Sequence, residues 1–222
     1  MSWIITGAQP FPAVIGEPFG GGYFAGYISH TADGNPTHAL IVAPRATGAT
    51  GTGYTLTTSL VWKTSLTTTA DTTSLFDGAA NTAAMVAAGI NDHPAAKFCV
   101  DLNISGYTDW YLPARYEMDI AYENLKPGTN FNDTSWGVNP YAVPKRDLER
   151  SLKAPGQTYL NLFMTGGLQA FSVSRHWSSS EVSSLIAWTL NMDNGLHSEA
   201  FIFGQGAKNA AMPVRAFRRI AL

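Results

Sequence analysis

A single cysteine, Cys99, stands in the chain of 222 residues, so neither an intrachain disulfide nor a multi-cysteine zinc site is available. Charge is scarce as well. Asp, Glu, Lys and Arg make up 14% of the sequence, against roughly 25% in ordinary globular chains. A net charge of −2 and a pI near 6.2 leave no basic stripe of the kind that binds nucleic acid. The group Arg215, Arg218 and Arg219 is too small to supply one. No run approaches the roughly twenty apolar residues of a membrane span. The opening MSWIITGAQPFPAVIGEPF lacks a basic start followed by a long apolar stretch, so no secretory signal is visible. These absences place synthesis in a cytoplasm, with lysis or a non-Sec route as the way out.

Catalytic signatures are missing too. There is no Gly-x-Ser-x-Gly elbow. His176 beside Ser178, Ser179 and Ser180 reads as a polar turn next to Trp177 rather than a nucleophile with its base. The five histidines, His30, His38, His93, His176 and His197, show no H-x-H or H-x-x-x-H pairing, so no metal site is expected. Oxygen ligands at Asn132, Asp133, Asn191, Asp193 and Asn194 make calcium a minority reading. Gly20-Gly21-Gly22 lacks the Lys and helix of a phosphate loop. No carboxylate pair is singled out for glycoside hydrolysis. No catalytic residue, cofactor or metal is assigned, and an enzyme is the least supported class.

What is present is ample apolar material: 45% of the residues, enough for one large domain or two small ones. Gly, Ser and Thr take the place of charge. Such a surface is poorly protected by charge and suggests cover within an assembly. The most informative stretch is GYTDWYLPARYEMDIAYENL, residues 106–125. Met118, Ala121, Tyr122 and Leu125 stand at i, i+3, i+4 and i+7, the apolar face of a helix with Pro113 in its first turn. Its other side, Arg115, Glu117, Asp119 and Glu123, reads as a solvated face. Earlier, strands over 23–28 and 38–43 flank the turn signal at 32–36. Residues 46–78 are Thr- and Gly-rich, a β- and loop-rich segment interrupted by Trp62 and Phe76. Asn81 is expected to cap a helix over 82–88, and Asp92 or His93 a second over 94–102. Residues 128–155 form a long irregular loop, a type usually functional or held by partners. Strands then follow over 187–192, 199–203 and 212–220, with a turn at 193–195. Arg215 and Arg219 share a face of the last strand, and Asp109 or Glu181 is the expected carboxylate partner. The order of elements indicates α+β rather than βαβ winding.

Three blocks carry a resemblance: GYTDWYLP with the acidic helix (106–125), HWSSSE with the following AW (176–188), and VRAFRR (214–219). Together they resemble the C-terminal domain of the collagen-like bacterial adhesins (Lcl-type), over about residues 75–222. The resemblance implies a C-type-lectin-like domain over 75–222, preceded over 1–74 by a β-hairpin extension that serves assembly. GGGYFAGYI…HALIVAPR is similar to the leader on phage-encoded copies, which are structural components of particles. Where many members carry a last-strand cysteine this chain has Ala216, so Cys99 lacks a partner and reads as a buried structural thiol.

The resemblance implies that Trp110, Leu112, Trp177, Trp188 and Arg215 belong to the structural core. It also implies a non-enzymatic phage virion protein, tail-associated and receptor-binding or head-decorating, located in the virion after assembly in the host cytoplasm. Its partners would be other virion proteins, further copies of the chain as a homo-oligomer, and a host cell-surface glycan or protein. No nucleic acid partner is expected. Binding would use the loops at 128–155, 164–174 and 204–210, and within or beside them Trp136, Tyr141, Gln169, Phe171, His197 and Lys208. The alternative is a bacterial surface adhesin or lectin module that binds glycans.

Overall fold

The computed structural model describes residues 11–51, 59–146, 148–198 and 206–222; of Ser198 it describes the backbone alone. The strand expected over 199–203 and the start of the loop at 204–210 lie outside the described residues.

The chain folds as a mixed α and β structure around an antiparallel sheet. Its two central strands are β2 (Gly22–Ile28) and β3 (His38–Val42), the hairpin expected from the turn signal between them. The last strand, β10 (Phe217–Ala221), lies antiparallel along the free edge of β3, pairing Phe217 with Val42 and Ala221 with His38. The outer edge of β2 is shared by β1 (Pro18–Phe19) at its start and β5 (Ala142–Val143) at its end. Across the expected division at residue 74, then, the hairpin of the first segment and the last strand form one sheet. A two-stranded ribbon joins β4 (Leu60–Val61) to β9 (Ala211–Met212). A third sheet consists of β6 (Arg175–Glu181), β7 (Ala187–Asn191) and β8 (His197–Ser198). Among the described residues no helix is long and apolar enough to cross a membrane.

β3 is buried on both faces, which is why its sequence reads as a continuous apolar run rather than an alternation. Ala39 and Ile41 join a cluster with Trp62, Trp110, Trp177, Met85 and Cys99. Leu40 and Val42 join another with Tyr111, Met118, Tyr122, Leu125 and Phe217. Burying a side chain such as Leu40, Ile41 or Val42 stabilises the fold by about 1.5–3 kcal/mol. The first cluster is pinned by two indoles that reach across to each other's strands. Trp177 Nε1 donates to Leu60 O and Trp62 Nε1 to Ser178 O, both at 2.8 Å, so neither ring buries an unmade hydrogen bond.

The helices differ from expectation mainly at their starts. A four-residue turn, α1 (Arg45–Gly48), precedes them. α2 (Gly78–Gly89) begins three residues ahead of Asn81, because Asp77 accepts the Ala80 N–H at 2.8 Å. Asn81 is inside the helix, where its amide donates to Ser74 O and Ser179 Oγ. In α3 (Pro94–Val100) His93 takes the N-cap position, but neither candidate's side chain bonds to the helix start. Asp92 takes the hydroxyls of Thr64 and Ser65, and His93 meets Thr69 Oγ1 and Gly89 O. α4 (Arg115–Leu125) starts two residues after Pro113. Its N-terminus is closed by Glu117 Oε2, which accepts the Ala114 N–H at 2.7 Å, and by Ser180 Oγ from β6, which accepts that of Arg115 at 3.1 Å.

Glu117 belongs to no solvated face. It is fully buried, accepting also the Gly78 N–H and the Tyr111 hydroxyl. Burial raises its pKa to about 7, with the Ala114 N–H, the Tyr111 hydroxyl and Arg219 pulling the other way. Gly78 must be glycine here, since a Cβ would stand 2.4 Å from Glu117 Oε2 and 2.5 Å from Ala114 N. Gly26 does the same for α4 against β2, where a Cβ would meet Ile120 and Asn124 at 2.7 and 2.6 Å. The run His-Trp-Ser-Ser-Ser-Glu is a buried strand, β6, and not a turn. Its three serines find distant partners in Trp188 O, the Asn81 amide and Ser74 O. The expected strand 212–220 is divided, with β9 ahead of Pro213 and β10 after Ala216.

Candidate functional site

The residues expected to meet a ligand fall into separate places. Trp136 is half-buried and stands edge-on to Trp188 at 5.6 Å, near His197 at 6.1 Å. Tyr141, half-buried, stacks on Phe76 with ring centres 4.3 Å apart. Gln169 and Phe171 come together around Arg215, Gln169 through its side-chain oxygen and Phe171 beneath the guanidinium at 5.1 Å. Three of the six face inward. Phe171 is 3% exposed, His197 2% and Lys208 0%. Lys208 Nζ donates to Glu181 Oε1 at 2.7 Å and to Thr67 O at 2.9 Å, above the Trp62 ring. His197 Nε2 donates to Asp119 Oδ1 at 2.9 Å, while its Nδ1 accepts from Arg115 Nε at 3.3 Å. Burial, and then the Arg115 and Arg150 charges, hold its pKa well below the ordinary histidine range. Trp110, Leu112, Trp177, Trp188 and Arg215 are all buried. Arg215 meets neither Asp109 nor Glu181; Asp109 instead pairs with Arg218, and Arg219 with Asp77.

The polar side of α4 turns out to be the anchor of the long loop. Asp119 is buried and ion-paired with Arg150, and Glu123 takes both Arg150 and Arg146. Arg150 also donates to Gly195 O at 2.8 Å, tying the loop to the turn after β7. Burial, with Arg115 nearby, lowers its pKa to about 10. Arg115 lies 4.1 Å from the centre of the Trp188 ring. Asn139 donates to Tyr116 O and Asp119 Oδ2. Further along, Asn132 accepts from Tyr122 and Lys126 and donates to Ser151 O and Pro155 O. A segment with almost no secondary structure is thereby fixed largely by side chains, with backbone bonds such as Asn132 N–H to Leu152 O and Asp133 N–H to Asn194 O beside them.

Between α4 and this loop lies a cleft of about 270 Å³. Ile120, Val143, Pro144 and Pro155 give it an apolar wall, with Asn124 and the Glu123–Arg146 pair as its polar part. The volume is near the lower limit for small-molecule sites. With its carboxylate already ion-paired, the cleft offers an apolar surface and hydrogen bonds rather than a free acid or base. Among the described residues no three His, Cys, Asp or Glu side chains are grouped as a metal ion would need. Of the oxygens expected as calcium ligands, Asp193 receives the Asn130 amide and Asn132 the Lys126 ammonium.

Outward, the same region carries large apolar side chains in solvent: Phe131 (63% exposed), Leu148 (79%), Leu152 (58%), Tyr159 (96%) and Leu168 (78%). Sequence reasoning missed the role of Arg146 and Arg150. A signal existed, since these two are four residues apart, as are Asp119 and Glu123 on the helix. No protein-family model matches the chain, and no curated protein matches it in sequence.

Proposed function

We propose that this chain is a non-enzymatic structural protein of a phage virion, tail-associated and receptor-binding or head-decorating. In this reading it is built on a C-type-lectin-like domain, assembled in the host cytoplasm as a homo-oligomer, and its loops meet a partner. The observation that carries the reading is the pairing of opposites over 128–168. The loop is fixed from beneath by buried ion pairs at Arg150, yet it and the segment after it hold Leu148, Tyr159 and Leu168 largely in water. Apolar side chains held out on a braced scaffold suit a protein contact, because little ordering entropy remains to be lost on association. The low charge and the three sequence blocks support the same reading, as does a sheet that joins the hairpin to the last strand.

Immunogold electron microscopy of purified particles with an antibody against this chain tests it. Label at tail or fibre tips supports receptor recognition, label over the head supports decoration, and unlabelled particles overturn the virion reading. A second reading is favoured by the half-exposed stack of Phe76 on Tyr141. Flat aromatic faces accept sugar rings, as a bacterial surface adhesin or lectin module would require. Glycan-array binding that is lost in Tyr141→Ala would establish it.

A further inference from the structure

A second pocket, away from the α4 cleft, is lined by two arginines and, among the described residues, by no carboxylate. Its walls include Arg45, Thr50, Phe171, Ser172, His176 and Arg215. Its volume of about 10 Å³ is the room a single water-sized occupant needs. Arg215 is 1% exposed. Its Nε donates to Ala43 O at 2.6 Å, but among the described residues its two terminal nitrogens reach only Gln169, at O and Oε1, both at a long 3.4 Å. Among the described residues the Arg45 guanidinium donates to the Gly167 carbonyl alone, also at 3.4 Å. Neither arginine forms an ion pair among the described residues.

The remaining groups do not supply the missing charge. His176 donates from Nδ1 to Ser174 O and accepts at Nε2 from Ser172 Oγ. It is neutral, since burial takes its pKa to about 4, with Arg215 adding to the effect. Thr50 Oγ1 accepts the Val214 N–H at 2.9 Å and keeps its own proton for another acceptor. Two guanidiniums and a hydroxyl therefore surround a small space, and every described neighbour is a neutral acceptor. An isolated buried cation costs several kcal/mol unless it is paired.

We propose that this pocket binds a small monovalent anion of halide size, held by Arg45, Arg215 and the Thr50 hydroxyl. Phosphate and sulfate are too large for it. The anion completes the neutralisation of Arg215 and joins the C-terminal part of the chain to residues 45–50 and 169–172.

The test uses the whole chain at constant ionic strength, with sodium gluconate replaced stepwise by sodium chloride. The thermal midpoint is expected to rise by roughly 2–4 °C in the wild type and to stay level in Arg45→Gln. That substitution sits at a half-exposed position and leaves Arg215 in place. Crystals grown in bromide should show an anomalous peak beside the Arg215 guanidinium. An equal chloride response in Arg45→Gln, or a level midpoint in the wild type with no bromide peak, overturns the proposal.

Discussion

Arginine is buried in two regions of this molecule and treated in opposite ways. Under the long loop, Arg150 meets two carboxylates, and α4 supplies both. Beside the Gln169 turn, Arg215 is more deeply buried and, among the described residues, meets only oxygens without charge. The first region is closed: its charges cancel internally, and its task is to hold the loop in shape. The second is open, with a positive field that the described chain does not balance. Glu117 is the mirror case, a buried carboxylate served by N–H and O–H donors with no cation in contact among the described residues. It settles the matter by titration, which an arginine at neutral pH does not do.

The comparison breaks most severely where the closed region is opened. Asp119→Ala leaves Arg150 and His197 without their shared carboxylate and is expected to cost about 3–5 kcal/mol, read from urea unfolding, with faster proteolysis within 128–155. A smaller effect sharpens the mirror case. Between pH 7 and 4.5 folded Glu117 holds a proton that the unfolded chain lacks, so acidification adds stability there. His176 acts oppositely, because its folded pKa is depressed and stability is lost as pH falls from 6.5 towards 4. Glu117→Gln removes the compensating gain, so the fall in stability from pH 7.5 to 5 should steepen by about 1–3 kcal/mol; an unchanged slope in pH-dependent denaturation would show Glu117 ionised throughout. Smallest of all is Tyr159→Ser, expected to change stability by less than about 0.5 kcal/mol. On the proposed function it nonetheless weakens association, measurable by sedimentation of the chain with purified particles.

What was legible in the sequence follows the same division. The apolar face of α4 could be read because a helix sets its own spacing, and Met118, Ala121, Tyr122 and Leu125 are all buried. Its polar face misled, because the partners that bury Asp119 come from Arg150 and His197, 31 and 78 residues away. β6 misled in the same manner: three consecutive serines look like a turn until their acceptors and donors are brought in from α2, β7 and Ser74. The hairpin β2–β3 was legible from its turn residues, whereas β4 and β9, two residues each, exist only through each other. Of the residues picked for the loops, Trp136 and Tyr141 keep a partly open face, while Lys208 was drawn inward by Glu181.

The pairing of β3 with β10 has a consequence for how the protein is made. Val42 leaves the ribosome about 175 residues before its partner Phe217, which at 5–20 residues per second is a delay of roughly 10–35 s. Throughout that interval the apolar edge of β3 is an unpaired template for any other strand nearby. Nascent chains crowded on one message carry that hazard together, so a chaperone that shields β3 until β10 emerges is expected to raise the yield of native protein more than one acting after release.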